Sequence, residues 1–80
     1  MYTVYILYSK KIEKYYIGST KDIHQRVIHH NAGLSRWTKQ GIPWILVYTE
    51  TYVTRGEAVK REAKIKSYKG GNEFRKLLYR

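Results

Sequence analysis

Five side chains stand out for the chemistry their types could perform together: Tyr5, Tyr16, Arg26, His30 and Glu62. Cutting a phosphodiester needs a base near an attacking water, a cation on the phosphoryl oxygens and help for the leaving oxygen. A tyrosine pair can position or deprotonate water, and an arginine can grip a phosphate through two parallel hydrogen bonds. One carboxylate is enough for a hydrated Mg²⁺, because that ion keeps several waters and takes few protein ligands. Whether these parts form one site depends on the elements that carry them.

Each also has a simpler structural reading. Tyrosine has high β propensity, so strand tyrosines need no further cause. Arg26 and His30 are four apart on an expected helix and share a face, at the edge of its apolar stripe. That is the place for a cleft wall, or for a solvated basic face with His30 near the helix C-terminus. Glu62 falls inside the apolar arc of a later helix, between Ala58 and Ile65, where a carboxylate is costly unless paired or metal-bound. Lys66, one turn on, offers an ordinary pair, so both readings stay open. His24 and His29 have no comparable geometry. Without cysteine or nearby carboxylates, the three histidines do not make a zinc site.

The positioning elements follow from pattern and punctuation. Tyr2 to Tyr8 is β-branched and aromatic and predicts a strand, with Thr3, Tyr5 and Leu7 on one face. A polar turn near Lys10–Lys14 leads to a short second strand, Tyr15 to Gly18. With a turn of two or four residues, antiparallel pairing puts Tyr5 and Tyr16 on the same face; the longer turn sets Tyr5 opposite Gly18. Asp22, with Gln25 three residues on, predicts a capping box and a helix whose Ile23, Val27 and Ile28 face inward. Asn31-Ala32-Gly33 ends it. A polar loop from Leu34 to Ile42 carries Arg36, Trp37 and Lys39, and Pro43 introduces a third strand, Trp44 to Val53. Thr54 and Glu57 form a second capping box. The helix they open runs to about Ser67, with Ala58, Val59, Ala63 and Ile65 inward. Gly70-Gly71 breaks it, Asn72 is expected to cap again, and Phe74, Leu77 and Leu78 mark a last short helix. The order β-β-α-β-α-α predicts an α+β fold, a three-stranded antiparallel sheet covered by helices, with one shared core and one domain over residues 1–80.

Composition narrows the partner. Sixteen Lys and Arg against six Asp and Glu give a formal net charge of +10, which favours a polyanion, most often nucleic acid. Nine tyrosines add surfaces that can stack on bases. No apolar run is long enough to span a membrane, and no secretion signal is visible. The chain has no cysteine, so it has neither a disulfide framework nor a thiolate nucleophile. A cytoplasmic location is expected.

Thr3-Val4-Tyr5, ten residues, then Tyr16-Ile17-Gly18 resembles the motif pair of the GIY-YIG nuclease superfamily. The first motif keeps only its tyrosine. The likeness continues through Ser19-Thr20, the Asp22-capped helix with Arg26 and His30, and Glu62. The stretch Pro43–Tyr48, with Glu57-Ala58, Arg61-Glu62 and Ile65-Lys66, is similar to the family's small standalone bacterial branch. The resemblance implies one-metal hydrolysis of DNA, branched, damaged or single-stranded, with DNA repair as the setting. It implies that Tyr5 acts at the attacking water and Tyr16 lines the same site. Arg26 would bind the scissile phosphate, His30 would stand near the nucleophile, and Glu62 would hold Mg²⁺ or Mn²⁺. Gly18 would be structural, allowing close approach. Arg36, Lys39 and Lys66 are further candidates for nucleic-acid contact. Many relatives choose targets through an appended DNA-binding domain; with none here, a protein partner supplying specificity is expected. The alternative function is a nucleic-acid-binding module that keeps the fold without cutting.

Overall fold

In the computed structural model, which describes residues 1–79, the first strand β1 (Tyr2–Ser9) is the centre of the sheet. β2 (Lys14–Thr20) pairs antiparallel with it on one side and β3 (Ile45–Tyr52) on the other, giving the order β2-β1-β3. Helix α1 (Ile23–Asn31) follows β2, while α2 (Arg55–Ser67) and α3 (Asn72–Leu78) follow β3, so the expected β-β-α-β-α-α order holds. Ser9 pairs with Lys14, which leaves a four-residue turn and sets Tyr5 opposite Gly18. Of the two turn lengths, the chain takes the one that places a phenol beside a missing side chain.

The core is not shared. β1 is buried on both faces, and its alternation divides the apolar residues into two clusters. Val4 and Ile6 pack with Ala58, Ile65, Phe74 and Leu77 on the side of α2 and α3. Tyr5 and Leu7 pack with Trp44, and with Ile23 and Val27 of α1, on the other side. A single sheet with helices on both faces needs two thin cores, because neither helix layer can reach past the sheet.

Helix detail departs from the expected pattern in instructive places. Asp22 accepts from Gln25 N–H, but the return bond of a capping box is not made; Asp22 N–H bonds Thr20 Oγ1 instead. Thr54 and Glu57 do form the complete box. Asn72 is the first residue of α3, not its cap. In α1 the inward stripe runs Ile23, Val27, His30, at steps of four and three, so Ile28 is exposed and a histidine takes the last core position. In α2 the stripe runs Ala58, Arg61/Glu62, Ile65, and Val59 and Ala63 face solvent. On the edge strand β3, Ile45, Leu46 and Val47 are exposed despite their apolar character.

Arg61 explains how a charged pair fits in that stripe. Its Nε and Nη2 donate to the two Glu50 oxygens at 2.9 and 3.0 Å, and the hydroxyls of Tyr48 and Tyr52 donate to the same carboxylate. Burial alone would raise the Glu50 carboxyl. The hydrogen bonds from Arg61, Tyr48 and Tyr52 outweigh it and hold the group down at about 2. A depressed acid lends stability that is complete above its ordinary range and is lost as pH falls toward the folded value. Stability is therefore expected to fall between about pH 5 and pH 2 through this group. Glu50→Gln is expected to cost about 1–3 kcal/mol near neutral pH, read from the urea midpoint, and to flatten that acid dependence. An unchanged midpoint and an unchanged acid profile would show that the network contributes nothing.

Candidate active site

The site is built around Tyr5. β1 carries it toward α1, and its phenol passes over the backbone of Gly18 on the neighbouring strand. A Cβ at Gly18 would stand 2.6 Å from Tyr5 Oη and 2.7 Å from Cζ, so only glycine leaves the ring its path. The Tyr5 hydroxyl meets His30 Nε2 at 3.1 Å. His30 Nδ1 lies 2.8 Å from Thr38 Oγ1, and that hydroxyl can also donate to the Ser35 carbonyl. A neutral ring carries one N–H, so either Nδ1–H donates to Thr38 and Nε2 accepts from Tyr5, or Thr38 donates to Nδ1 and Nε2–H donates to the Tyr5 oxygen. His30 is 1% exposed, which removes the solvated-face reading for it; Arg26, one turn earlier, is exposed.

Thr38 sits in a 3₁₀ turn, Thr38–Gly41, within the stretch expected as a plain polar loop. The turn is pinned from two sides. Trp44 Nε1 donates to the Thr38 carbonyl at 2.6 Å, and Ser9 Oγ donates to the Gly41 carbonyl at 2.6 Å. The Asn31 side chain bonds both backbone polar groups of Trp44, tying the end of α1 to the start of β3. Thr38 and Asn31 carried no sequence signal, since a threonine in a polar loop and an asparagine at a helix end are ordinary.

Tyr16 lies against His30 with ring centroids 4.7 Å apart, and against Tyr5 at 6.2 Å. Glu62 arrives from the other side of the sheet. β2 is an edge strand, and Ser19, the partner of Val4, faces α2. Ser19 Oγ donates to Glu62 Oε1 at 2.7 Å. Lys66 pairs with Glu62 Oε2 at 2.6 Å, the ordinary i,i+4 pair open to the sequence. The site therefore straddles the β2 edge at Gly18.

Electrostatics link the two sides. The Tyr5 phenol is pushed well above its ordinary value, first by burial and then by Tyr16; Arg26 pulls the other way, and Glu62 adds to the rise. His30 is lowered, first by burial and then by the positive charges of Arg26 and His29. Both groups are thus neutral near pH 7. Tyr5, Tyr16 and His30 are in direct contact, and Arg26 and Glu62 lie within Coulombic reach of the Tyr5 hydroxyl. Arg36 and Lys39 are exposed around the 3₁₀ turn, with no side-chain hydrogen bond or ion pair to those five among the described residues.

A concavity of about 560 Å³ opens beside Arg26 and Ser19 and is lined also by Lys21, His29 and Arg55. Lys21 and Arg55 were not singled out by the sequence, because the groove joins the β2–α1 turn to the start of α2, far apart in the chain. No cluster of three or more metal-ligating side chains occurs among the described residues. Glu62 with Ser19 Oγ forms an oxygen-only pair whose carboxylate is 19% exposed, which suits a largely hydrated Mg²⁺ or Mn²⁺ and not a soft or nitrogen-preferring ion.

The GIY-YIG catalytic domain profile matches residues 1–75. The chain belongs to the GIY-YIG family. A UPF0213 protein of Staphylococcus epidermidis is 52% identical over 54 residues, 66% of this chain and 66% of that protein. One from Staphylococcus aureus is 48% identical over the same length and shares. The match thus spans about two thirds of those relatives. A solution NMR structure of a UPF0213 protein from Bacillus halodurans is 30% identical, covering 91% of this chain and 90% of that one, with a TM-score of 0.50. The family is of nuclease type. No helix among the described residues is long and apolar enough to cross a membrane.

The close approach at Gly18 can be tested by coupling. Gly18→Ala in this GIY-YIG protein is expected to destabilise by about 1–3 kcal/mol, because the Tyr5 ring must move. In a Tyr5→Leu background, which has no atoms at Cζ or Oη, the same change is expected to cost less by at least about 0.5 kcal/mol. Additive costs in urea melts would mean that Gly18 is not required by the phenol.

Proposed function

We propose that the chain is a divalent-metal-dependent endonuclease that hydrolyses phosphodiester bonds in DNA. The observation that carries this reading is the buried Tyr5–His30 hydrogen bond, with Arg26 and Glu62 both close enough to act on the Tyr5 hydroxyl.

A free phenol is a poor base near neutral pH, and this one is poorer still. The His30 contact resolves that difficulty. Tyr5 passes its proton to His30 Nε2 as it takes one from water. The water oxygen forms its bond to phosphorus while the bond to the sugar oxygen breaks, and the departing oxygen takes a proton from solvent or from His30. The relay uses the tautomer in which His30 Nδ1–H donates to Thr38 and Nε2 accepts. Arg26, exposed at the mouth, grips the phosphoryl oxygens, and the groove with Lys21 and Arg55 receives the adjoining backbone. Glu62, helped by Ser19, would hold Mg²⁺ or Mn²⁺ once Lys66 yields its oxygen. When bound, the cation supplies charge neutralisation at the phosphate and the leaving oxygen. A protein partner, a cytoplasmic location and a role in DNA repair belong to the same proposal.

Supercoiled, branched and single-stranded DNA incubated with Mg²⁺, Mn²⁺ or chelator tests it. Cutting is expected with metal and not with chelator. It should fall about 10²–10⁴-fold in Tyr5→Phe and be lost in Glu62→Ala while binding persists. Wild type and Glu62→Ala behaving alike on every substrate would remove the catalytic reading and leave a binding module. The pH profile adds a second check. His30 must be neutral to accept a proton and its value is lowered, so the acid limb of kcat/KM is expected below the ordinary histidine value of about 6.5. A limb above that value would contradict the relay.

A further inference from the structure

Trp37 has no role in the chemistry proposed for Tyr5, His30, Arg26 and Glu62. Its indole is 45% exposed although the neighbouring Trp44 is buried at 3%. Trp37 lies 6.1 Å from Tyr16 and 5.9 Å from Trp44, centroid to centroid, with tilts of 31° and 35°. Tyr16 in turn lies on His30, so an aromatic row runs from the Tyr5–His30 pair out to solvent and ends on the open indole. Beside it is a concavity of about 300 Å³ lined by Tyr15, Tyr16, Ile17, Trp37 and Lys66. Lys66 is the residue that pairs with Glu62, so one wall of this hollow adjoins the Glu62 carboxylate.

A half-exposed indole needs no cover on its own account, but this one flanks a hollow with aromatic and basic lining. The candidates for cover are narrowed by what surrounds it. The hollow is aromatic on its walls and cationic at one corner, in a chain of net charge +10. That combination suits a flat π-face attached to a phosphate, since bases stack on aromatic side chains while lysine meets the backbone. A base inside a duplex is already stacked on its neighbours and paired, so it cannot enter without being extruded. An unpaired base enters at no such cost.

We infer that Trp37 and Tyr16 form a stacking platform for an unpaired nucleobase next to the cleavage point, with Lys66 on its phosphate. The preferred substrate is therefore a nucleic acid with a single-stranded segment at the site, as at a flap, branch or loop. This rests on the nuclease reading, and it names the residues that would select, among the substrates the family resemblance implies, those with an unpaired base.

Binding in chelator separates the two. Single-stranded DNA, single-stranded RNA and a blunt DNA duplex of equal length are titrated against wild type, Trp37→Ala and Trp37→Phe at fixed salt, with tryptophan emission and anisotropy recorded. Single strands are expected to bind more tightly than duplex and to quench emission, because Trp37 is open to a base and Trp44 is not. Trp37→Ala is expected to weaken single-strand binding about tenfold and duplex binding less than twofold, with Trp37→Phe in between. RNA binding as well as DNA shows that the platform reads the base and not the sugar, and supports it equally. Equal losses on single strand and duplex, or no preference in wild type, overturn the platform while metal-dependent cutting can still stand. Failure of every nucleic acid to bind overturns the platform and the nuclease reading together.

Discussion

The hydrogen bond between the Tyr5 hydroxyl and His30 Nε2 is the contact on which the rest of the site depends. It is buried, so removing either partner leaves the polar atom of the other without its hydrogen bond. For it to form, the phenol must cross an edge strand at a residue with no side chain, which Gly18 supplies. For the relay the imidazole must also present an unprotonated Nε2, the tautomer in which Nδ1–H donates to Thr38 on the far side of the ring. The 3₁₀ turn that holds Thr38 is in turn fixed by Trp44 and Ser9. A chain of small backbone and side-chain constraints thus converges on the state of one proton.

Helix α2 shows how an 80-residue chain places charge near a thin core without leaving it unpaired. Arg61 and Glu62 are adjacent in sequence and both lie in the inward stripe, yet they face different ends of the sheet. Arg61 reaches β3 and meets Glu50 with two hydrogen bonds. Glu62 reaches β2 and meets Ser19. The first arrangement closes on itself and is structural. The second is partly open, its carboxylate shared with an exposed lysine, and lies within Coulombic reach of the Tyr5 hydroxyl. Burial of similar degree therefore has different meanings, decided by whether the charge is fully partnered.

Much of this was legible in the sequence because it rests on local periodicity. Strand parity put Tyr5 and Tyr16 on one face with either turn length, while the choice of the longer turn, which sets Tyr5 across from Gly18, stayed open until the pairing was seen. The helical arc marked Glu62 as inward. What pattern missed were features set by the third dimension. His30 was placed at the edge of a stripe, because Ile28 was the better hydrophobe. The helix instead turns Ile23, Val27 and His30 inward, and the sheet has room for an imidazole where Thr38 can bond it. Thr38, Asn31 and Glu50 act through partners many residues away, and no local signal distinguishes them from ordinary polar residues. The expectation of one shared core failed for a related reason: alternation tells which residues share a face, but not that both faces will be covered.

The protonation of the His30 ring can be read directly by ¹⁵N chemical shifts and one-bond couplings across a pH series. Nδ1 should carry the proton, Nε2 should be bare and hydrogen-bonded, and the ring should stay neutral below the ordinary histidine value of about 6.5. A proton on Nε2 at neutral pH, or a ring that charges at or above that value, would contradict the account of Tyr5 as a base acting through His30.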